Sequence, residues 1–400
     1  MNRSLISWML LLIINMNVMI GAGIFVYPSI IASYAQSLGF LSFGLVFCIM
    51  LPLVLTIAQL AALYPAREGG LYVYSATALG RMAGIITASV YFIAKALSCS
   101  IMIRIFVVYL YVIIPALSSM IPVGLMRLMV IIFLFVLNLF GIYFGAYLQA
   151  VLIFFKILPI AAVIITGFFK FNFAHLTLFP ASFGIFASSL PFAFYPMMGF
   201  ETCCAIGHII GDRQRIASTV LVSFFTVTCI YMLFQFFLFG VLGSDLIGSG
   251  APLVSFFNAV FQSLARQEWL LLIGIGAVMI SAISAAYGIL YANSWYVVVI
   301  GREFQGPIGK FNFINRFGIP VWAVLLHALL IVLLLLLTDN IALLGRLSVF
   351  GVLLSYLITV VALLRLYKKR DAKLILPFWV ALLSFASCAI MGFICIKDLF

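Results

Sequence analysis

The strongest constraint on the fold is a succession of apolar segments that are long enough to cross a bilayer as helices, which takes about 20 residues each. Eleven such segments follow one another: Leu5–Ile31, Leu38–Leu63, Met82–Leu117, Leu125–Phe144, Tyr147–Phe169, Phe183–Ile210, Ile216–Leu242, Trp269–Ile300, Val321–Thr338, Ile341–Leu366 and Leu374–Ile396. A transmembrane β-barrel is excluded, because its strands alternate polar and apolar residues. Only 8% of the residues are charged, against about 25% in soluble domains, which excludes a soluble enzyme. The sequence therefore predicts an all-α polytopic membrane protein with about eleven transmembrane helices.

The charges between the segments predict the orientation. If the N-terminus is cytoplasmic, thirteen lysines and arginines lie on the cytoplasmic side and four on the opposite side. This bias is the positive-inside pattern of membrane proteins. The net charge of +12 therefore reports orientation in a lipid bilayer and does not indicate nucleic-acid binding. We expect a multi-pass protein of a bacterial cytoplasmic (inner) membrane, with short extra helices in 250–267 and 305–317.

The cysteines indicate neither a disulfide framework nor a metal site. All seven lie inside apolar segments: Cys48, Cys99, Cys203, Cys204, Cys229, Cys388 and Cys395. None has a spacing with histidine that is typical of metal ligands, so we expect reduced packing residues, no metal and no cofactor. The first apolar run carries no cleavage pattern, and we expect it to be retained as the first span.

Two segments carry residues that interrupt a helix. The first contains Gly21 and Gly23, and the sixth contains Pro191, Pro196 and Gly199. Unwound backbone at membrane depth is tolerated only where it is buried in protein or lines a cavity. Each break begins a run of five segments, which is the pattern of inverted repeats in secondary transporters. The alternative is that glycine and proline are simply common in membrane helices.

Five motifs, in order along the chain, resemble those of the amino acid–polyamine–organocation (APC) superfamily. They are Ile20-Gly-Ala-Gly-Ile-Phe25, Pro65-Ala-Arg-Glu-Gly-Gly-Leu-Tyr-Val-Tyr74, Asn138–Gln149 with Lys156 and Pro159, Gly199-Phe-Glu201, and Gly301-Arg-Glu with Gly306-Pro307 and Gly318-Ile-Pro320. The resemblance runs from about residue 5 to about residue 366. It implies a LeuT-like fold of 5+5 inverted repeats, with the first repeat in 1–169, the second in 170–366, and a basic loop and terminal helix in 367–400. It also implies amino acid transport without catalysis, although the family usually has twelve spans.

The backbone at the two breaks is expected to bind the amino acid. The N–H groups of residues 21–23 begin a half-helix and can bind a carboxylate, while carbonyls at Ile20 and in 195–198 can accept from an ammonium. The substrate-binding residues expected from this arrangement are Ile20, Gly21, Ala22, Gly23, Ile24, Tyr195, Met198, Gly199 and Phe200. The alternative is that the glycines only let helices approach closely.

Charged and hydroxyl side chains inside the segments are candidates for proton coupling and gating. A charged lysine in hydrocarbon costs at least about 2.5–3.5 kcal/mol, so Lys156 needs a partner or loses its proton. The resemblance implies that Lys156 stands where sodium-coupled relatives bind a cation. Glu201, Ser281 and Ser284 are assigned to the same coupling, and Lys95 is a candidate charge in the pocket. The alternatives are a lysine permanently paired with carbonyls, a structural carboxylate, and serines bonded to their own helix.

The remaining charges inside segments receive structural interpretations. Arg104 and Arg346 are expected to snorkel outward. The three histidines, His175, His208 and His327, are expected to be structural. The family pattern calls for neither Lys95 nor Arg104.

The predicted function is amino acid transport by alternating access, proton-coupled and independent of sodium. Amino acid exchange is the alternative transport mode. A receptor or scaffold that does not transport is the alternative from another class, and it predicts that Gly21 and Gly23 tolerate bulky replacements. The side chain of the substrate and the oligomeric state do not follow from the sequence.

Overall fold

A computed structural model describes residues 3–64, 68–176, 182–206, 213–261, 268–304, 306–369 and 374–397. Within these ranges the chain is helical and contains no strand. Its α-helices are α1 (Arg3–Met19), α2 (Gly23–Ala35), α3 (Gly39–Leu63), α4 (Leu71–Leu79), α5 (Arg81–Ile113), α6 (Pro115–Met120), α7 (Val123–Asn138), α8 (Ile142–Lys170), α9 (Phe183–Ala187), α10 (Leu190–Met197), α11 (Thr202–Ala205), α12 (Arg213–Leu242), α13 (Pro252–Val260), α14 (Glu268–Glu303), α15 (Val321–Leu337), α16 (Ile341–Lys368) and α17 (Phe378–Lys397).

Each of the eleven predicted apolar segments overlaps one or more of these helices over most of the segment's length. In the described residues, eight helical stretches are long and apolar enough to cross a membrane, and three apolar helices are shorter: Trp8–Met19, Val123–Asn138 and Val321–Leu337. The prediction of an all-α polytopic membrane protein is confirmed. The two extra helices are also found, as α13 and as a 3₁₀ helix at Gly306–Asn312, while residues 262–267 and 305 lie outside the described residues.

Apolar side chains cover the outside of the bundle and polar ones lie within it. On α8, for example, Phe154, Leu158 and Phe168 are exposed, as expected for a surface that faces lipid. Buried polar side chains near the middle of the bundle include Asn15, Asn17, Gln149, Lys156 and Glu201. Among the described residues the seven cysteines form no disulfide, and Cys48 is exposed on α3, so the prediction that all of them pack between helices is wrong for Cys48.

The helix pairings relate the two halves of the chain. Helix α3 packs against α12, and α5 packs against α14. The contact between α5 and α16 has its counterpart between α14 and α8, and the contact between α1 and α12 has its counterpart between α10 and α3. These are the pairings that a two-fold relation between segments one to five and six to ten generates. The division at residues 169 and 366 stays a prediction.

Asp339, in the loop between α15 and α16, joins three parts of the bundle. Its carboxylate accepts hydrogen bonds from Arg104 on α5 and from Arg127 on α7, the latter at 2.8 Å. Arg104 also donates to the carbonyls of Leu335 and Thr338, at the C-terminal end of α15, where a cation is favoured. Arg104 therefore reaches outward as expected, but protein covers it: its side chain is only 1% exposed.

The pair of arginines at Asp339 predicts an acid-sensitive contact. Hydrogen bonds from Arg127 and Arg104 lower the pKa of the Asp339 carboxyl below its ordinary value of 3.8. A depressed acid pKa stabilises the folded state above the unfolded pKa, and this stabilisation is lost as the pH falls through the lower folded value. We expect wild-type protein to melt at a higher temperature than Asp339→Asn at pH 5 to 7, with the difference shrinking below pH 4. A difference in Tm that stays constant down to pH 3 would contradict this assignment.

Candidate functional site

The helix of the first apolar segment is interrupted between α1 and α2, at residues 20–22. The Ile20 N–H still bonds back to the Met16 carbonyl at 2.8 Å, and the Gly21 N–H closes a tight turn on the Met19 carbonyl at 2.8 Å. The first N–H groups of a helix have no acceptor within it, so the start of α2 offers free donors. The break therefore presents donors from α2 and carbonyls from α1.

The two glycines of this break differ in the space around them. A Cβ added at Gly21 would make ordinary contacts, the nearest at 3.6 Å from the Met102 sulfur. A Cβ added at Gly23 would lie 3.3 Å from Pro196 Cβ and from the Tyr27 ring. Close packing therefore accounts for glycine at position 23 but not at position 21.

The second break separates α10 from α11, at residues 198–201. Gly199 has φ +113°, in the left-handed region that favours glycine. Its N–H donates to the Glu201 carboxylate at 3.1 Å, so the acid side chain folds back and holds the unwound turn. His208 follows this break but lies outside the described residues.

Polar side chains join the two breaks directly. The Tyr231 hydroxyl, from α12, lies 3.0 Å from the Met19 carbonyl oxygen of the first broken helix and 3.3 Å from the Pro196 carbonyl oxygen of the second. The Asn15 side chain donates to the Phe200 carbonyl at 2.9 Å and accepts the Cys203 N–H at 2.9 Å. Sequence reasoning missed Tyr231 and Asn15. An asparagine in the middle of an apolar helix was the available signal for Asn15.

The Lys156 ammonium lies against the first break. It is fully buried on α8, and it donates to the carbonyls of Asn17 at 2.7 Å and Ile20 at 2.6 Å. The Ser281 hydroxyl, from α14, donates to the same Ile20 carbonyl at 3.2 Å, and Ser284 donates to the Asn17 side-chain oxygen at 2.8 Å. Ser284 thus bonds to α1 and Ser281 to the turn after it, and neither bond is to the serine's own helix. In the part of the chain that the structure describes, Lys156 forms no ion pair.

Glu201 and Lys95 form a buried ion pair at the second break. The Lys95 nitrogen lies 3.2 Å from the Glu201 carboxylate, whose side chain is 0% exposed. The Tyr91 hydroxyl also donates to this carboxylate, and the Tyr356 hydroxyl lies near it. Helix α5 is thereby tied to the unwound turn, and the Glu201 carboxylate is neutralised by a base on another helix.

A small cavity of about 30 Å³ lies between the two breaks. The predicted site residues that line it are Gly21, Gly23, Lys95, Tyr195 and Met198. The others do not line it: Ile20, Ala22, Ile24, Gly199, Phe200, Lys156, Glu201, Ser281 and Ser284. The Phe200 ring packs instead between Phe224 and Tyr356, with ring centroids 5.2 and 5.6 Å away.

A larger cavity of about 390 Å³ adjoins the small one on the side of α2 and α10. The two share Gly23, Met102 and Tyr195. The Tyr195 ring packs edge-on against Tyr27, with centroids 5.5 Å apart. Arg346 lines the larger cavity, so its side chain borders a space within the protein and does not simply reach out along the lipid.

On the opposite side of the bundle, ion pairs tie the end of α14 to the chain around α4. Arg81 pairs with Glu303 at 2.8 Å, Arg302 pairs with Glu68 at 2.6 Å, and the Tyr72 hydroxyl donates to Glu303 at 2.5 Å. Burial raises the pKa of the Glu68 carboxyl, against the opposing charge of Arg302. Thus a cavity lies on one side of the breaks, whereas on the other side ion pairs and a hydrogen bond connect α14 to the chain around α4.

The two described histidines have structural contacts. The His175 ring lies 3.1 Å from the Gly240 carbonyl oxygen. The buried His327 ring lies 3.2 Å from the Asn293 side-chain nitrogen and 3.3 Å from the Leu290 carbonyl oxygen. Neither histidine lines the cavities at the breaks.

Comparison with known families gives a match over nearly the whole chain. The family described as "Amino acid permease" matches residues 6–397, which is nearly the whole chain and includes the eleventh apolar segment. No curated relative of significant similarity is found.

Proposed function

The chain belongs to the amino acid permease family, and on that premise we propose that it transports an amino acid by alternating access, coupled to protons and independent of sodium. The observation that carries the proton coupling is the position of Lys156. Its ammonium binds two backbone carbonyls at the first break, one of which also accepts a hydrogen bond from the Ser281 hydroxyl. Unwound carbonyls of this kind hold a small cation in discontinuous membrane helices. A lysine in that position supplies the positive charge from the chain itself.

The substrate carboxylate binds at the start of α2. This helix has 13 residues, and its N-terminal N–H groups and dipole favour an anion. Gly21 and Gly23 line the small cavity beside these groups, and the absence of side chains there leaves the backbone open. The ammonium of the substrate binds the carbonyls of the unwound turns, while Tyr195 and Met198 contact its side chain.

Proton coupling acts through the hydrogen bonds that Lys156 makes to α1 and to the turn after it. The carbonyls that it binds, those of Asn17 and Ile20, belong to the end of α1 and the turn after it. A charge-assisted hydrogen bond is roughly twice as strong as a neutral one. Loss of the proton from Lys156 therefore weakens the hydrogen bonds between α8 and the end of α1. Helix α1 can then move when the site opens toward the side of the membrane on which α1 lies. Ser281 and Ser284 on α14 couple this movement to α14 through their hydrogen bonds to Ile20 and Asn17. The ion pair of Glu201 and Lys95 stabilises the second break.

The orientation follows from the excess of basic residues on the side of the N-terminus. With α1 on the cytoplasmic side of a bacterial inner membrane, the cavity of about 390 Å³ lies on the outer side. The ion pairs of Arg81 and Arg302 then lie on the cytoplasmic side. This asymmetry is that of a carrier with access from outside, in which the inner path is crossed by side chains.

Uptake by purified protein in sodium-free proteoliposomes tests the proposal. A panel of labelled amino acids is offered with and without an inward proton gradient of one pH unit. We expect at least one amino acid to accumulate with the gradient. A gradient of one pH unit is worth about 1.4 kcal/mol per proton, so one proton per substrate can drive an accumulation of up to about tenfold. Without the gradient it should only equilibrate.

Three other results contradict the proposal in different ways. Uptake that needs an amino acid inside the vesicle and ignores the gradient indicates exchange. Uptake that appears only with sodium removes the cation role of Lys156. Neither uptake nor exchange of any amino acid in the panel favours a receptor or scaffold.

A further inference from the structure

One basic side chain in the larger cavity has no anionic partner among the residues that the structure describes. Arg346 lies on α16, half-buried, and lines the cavity of about 390 Å³. Among the described residues it takes part in no ion pair or hydrogen bond, whereas Arg104 is paired with Asp339 and Lys95 with Glu201. Arginine stays protonated in proteins. The cavity therefore carries a permanent positive charge.

Most side chains that line the cavity together with this charge are apolar. They include Val26, Ile30, Ile105, Phe192 and Val349, and Tyr27 and Tyr195 line it as well. A charge that faces an apolar space costs free energy unless it is paired, and charged residues inside membrane segments mark substrate pathways. The volume of about 390 Å³ falls within the range of about 300–1,000 Å³ typical of small-molecule sites. The cavity thus offers one anion partner and room for one apolar group.

We propose that Arg346 forms a first binding site for the carboxylate of a zwitterionic amino acid with an apolar side chain, reached before the site at the helix breaks. This inference rests on the proposed function. The guanidinium binds a carboxylate through two parallel hydrogen bonds, and the apolar wall holds the side chain. The same charge repels amino acids with cationic side chains, and among the described residues that line the larger cavity a second carboxylate would find no second base. Arg346 is thus a specificity-determining residue.

The cavity continues from this position to the helix breaks. Gly23, at the start of α2, lines both the larger cavity and the small one. A carboxylate released by Arg346 therefore meets the N–H groups of α2 within the same space. The transfer exchanges one anion partner for another and leaves the apolar side chain in contact with protein.

The test measures uptake of labelled L-leucine, L-methionine and L-phenylalanine into proteoliposomes, with unlabelled L-lysine as competitor. Hydrogen bonds to charged groups contribute about 1.5–3 kcal/mol, so Arg346→Gln is expected to raise KM about tenfold or more for the apolar substrate. The maximal rate should stay within about twofold of wild type, because the site at the breaks is intact. Arg346→Lys keeps the charge but loses the two parallel hydrogen bonds of the guanidinium, and it should raise KM by a smaller factor. L-lysine should not inhibit wild type but should inhibit Arg346→Gln.

Two control variants separate this role from simple loss of charge. Lys310→Gln removes an exposed base far from the cavity and should leave KM unchanged. Cys395 of α17 also lines the cavity, and Asp398 follows it by three residues in the sequence, outside the described residues. Asp398→Asn should leave KM unchanged. If Asp398→Asn raises KM as much as Arg346→Gln does, Asp398 is a partner of Arg346 within the chain, and the proposal is overturned.

The remaining outcomes distinguish the two levels of inference. Wild-type uptake with an unchanged KM in folded Arg346→Gln overturns the role of Arg346 and leaves the proposed function standing. Inhibition of wild type by L-lysine also overturns it, and this measurement needs no variant to fold. Absence of uptake or exchange of any amino acid by wild type overturns the proposed function itself.

Discussion

Replacement of Lys156 by methionine is expected to lower uptake by at least about 30-fold, because two charge-assisted hydrogen bonds to the first break are lost. The Lys156 nitrogen lies 2.7 Å from the Asn17 carbonyl oxygen and 2.6 Å from the Ile20 carbonyl oxygen. A hydrogen bond to a charged group contributes about 1.5–3 kcal/mol, and of the two carbonyls only that of Ile20 keeps another donor among the described residues, the Ser281 hydroxyl, so the arrangement of the first break is lost or shifted. The measurement is initial uptake in proteoliposomes at equal protein density.

The proton role is tested separately with Lys156→Gln. Glutamine keeps a donor for the carbonyls but cannot gain or release a proton in this range. We expect slow uptake whose rate no longer changes between external pH 5 and 8, whereas wild type is faster at the lower pH. Lys170→Gln, at the exposed end of the same helix, is the matched control and should behave as wild type. If Lys156→Gln keeps the full pH dependence, Lys156 is permanently paired with the carbonyls and the coupling lies elsewhere.

Replacement of Glu201 by glutamine is expected to lower the free energy of unfolding by about 3–5 kcal/mol, the usual cost of leaving one charge of a buried pair alone. The stranded charge is the Lys95 ammonium, whose side chain is only 6% exposed. The double variant Glu201→Gln with Lys95→Met contains no unpaired charge and should recover most of the loss. Unfolding in mixed detergent micelles measures both variants.

An exposed pair serves as the control for this cycle. Arg81 and Glu303 have side chains that are 53% and 31% exposed, and surface pairs contribute about 0–1 kcal/mol. Glu303→Gln should therefore change the unfolding free energy much less than Glu201→Gln. If the double variant is as unstable as Glu201→Gln, the loss does not come from an unpaired Lys95, and the pairing at the second break has been misassigned.

The apolar segments and the first break could be predicted because their causes are local. Bilayer thickness fixes the length of each segment, and Gly21 marks the unwound turn. The second break was placed in the right helix by Pro191, Pro196 and Gly199, but only the glycine lies in it. Pro191 sits in the first turn of α10, where its missing N–H is not needed, and Pro196 lies near the end of that helix.

The contacts across helices were harder to predict because they depend on which faces meet. Lys156 and the serines of α14 were assigned to the first break through the resemblance. That Lys95 pairs with Glu201 could not follow from sequence, since the register between α5 and α11 is set by packing. Tyr231 is one of 17 tyrosines, and nothing in its neighbourhood along the chain distinguishes it. That Arg346 lines a cavity, with no ion-pair partner among the described residues, could not be predicted either, because the cavity is formed by several helices that are distant in sequence.

The position of Tyr231 bears on leakage. One hydroxyl lies between carbonyls of both interrupted helices, those of Met19 and Pro196, and it has a single proton to donate. Displacement of only one of these helices from α12 therefore leaves the hydroxyl a carbonyl of the other helix as its acceptor. Displacement of both helices from α12 at once leaves this buried hydroxyl with neither carbonyl. This one side chain thus penalises a state in which both paths are open, and it favours tight stoichiometry over slippage.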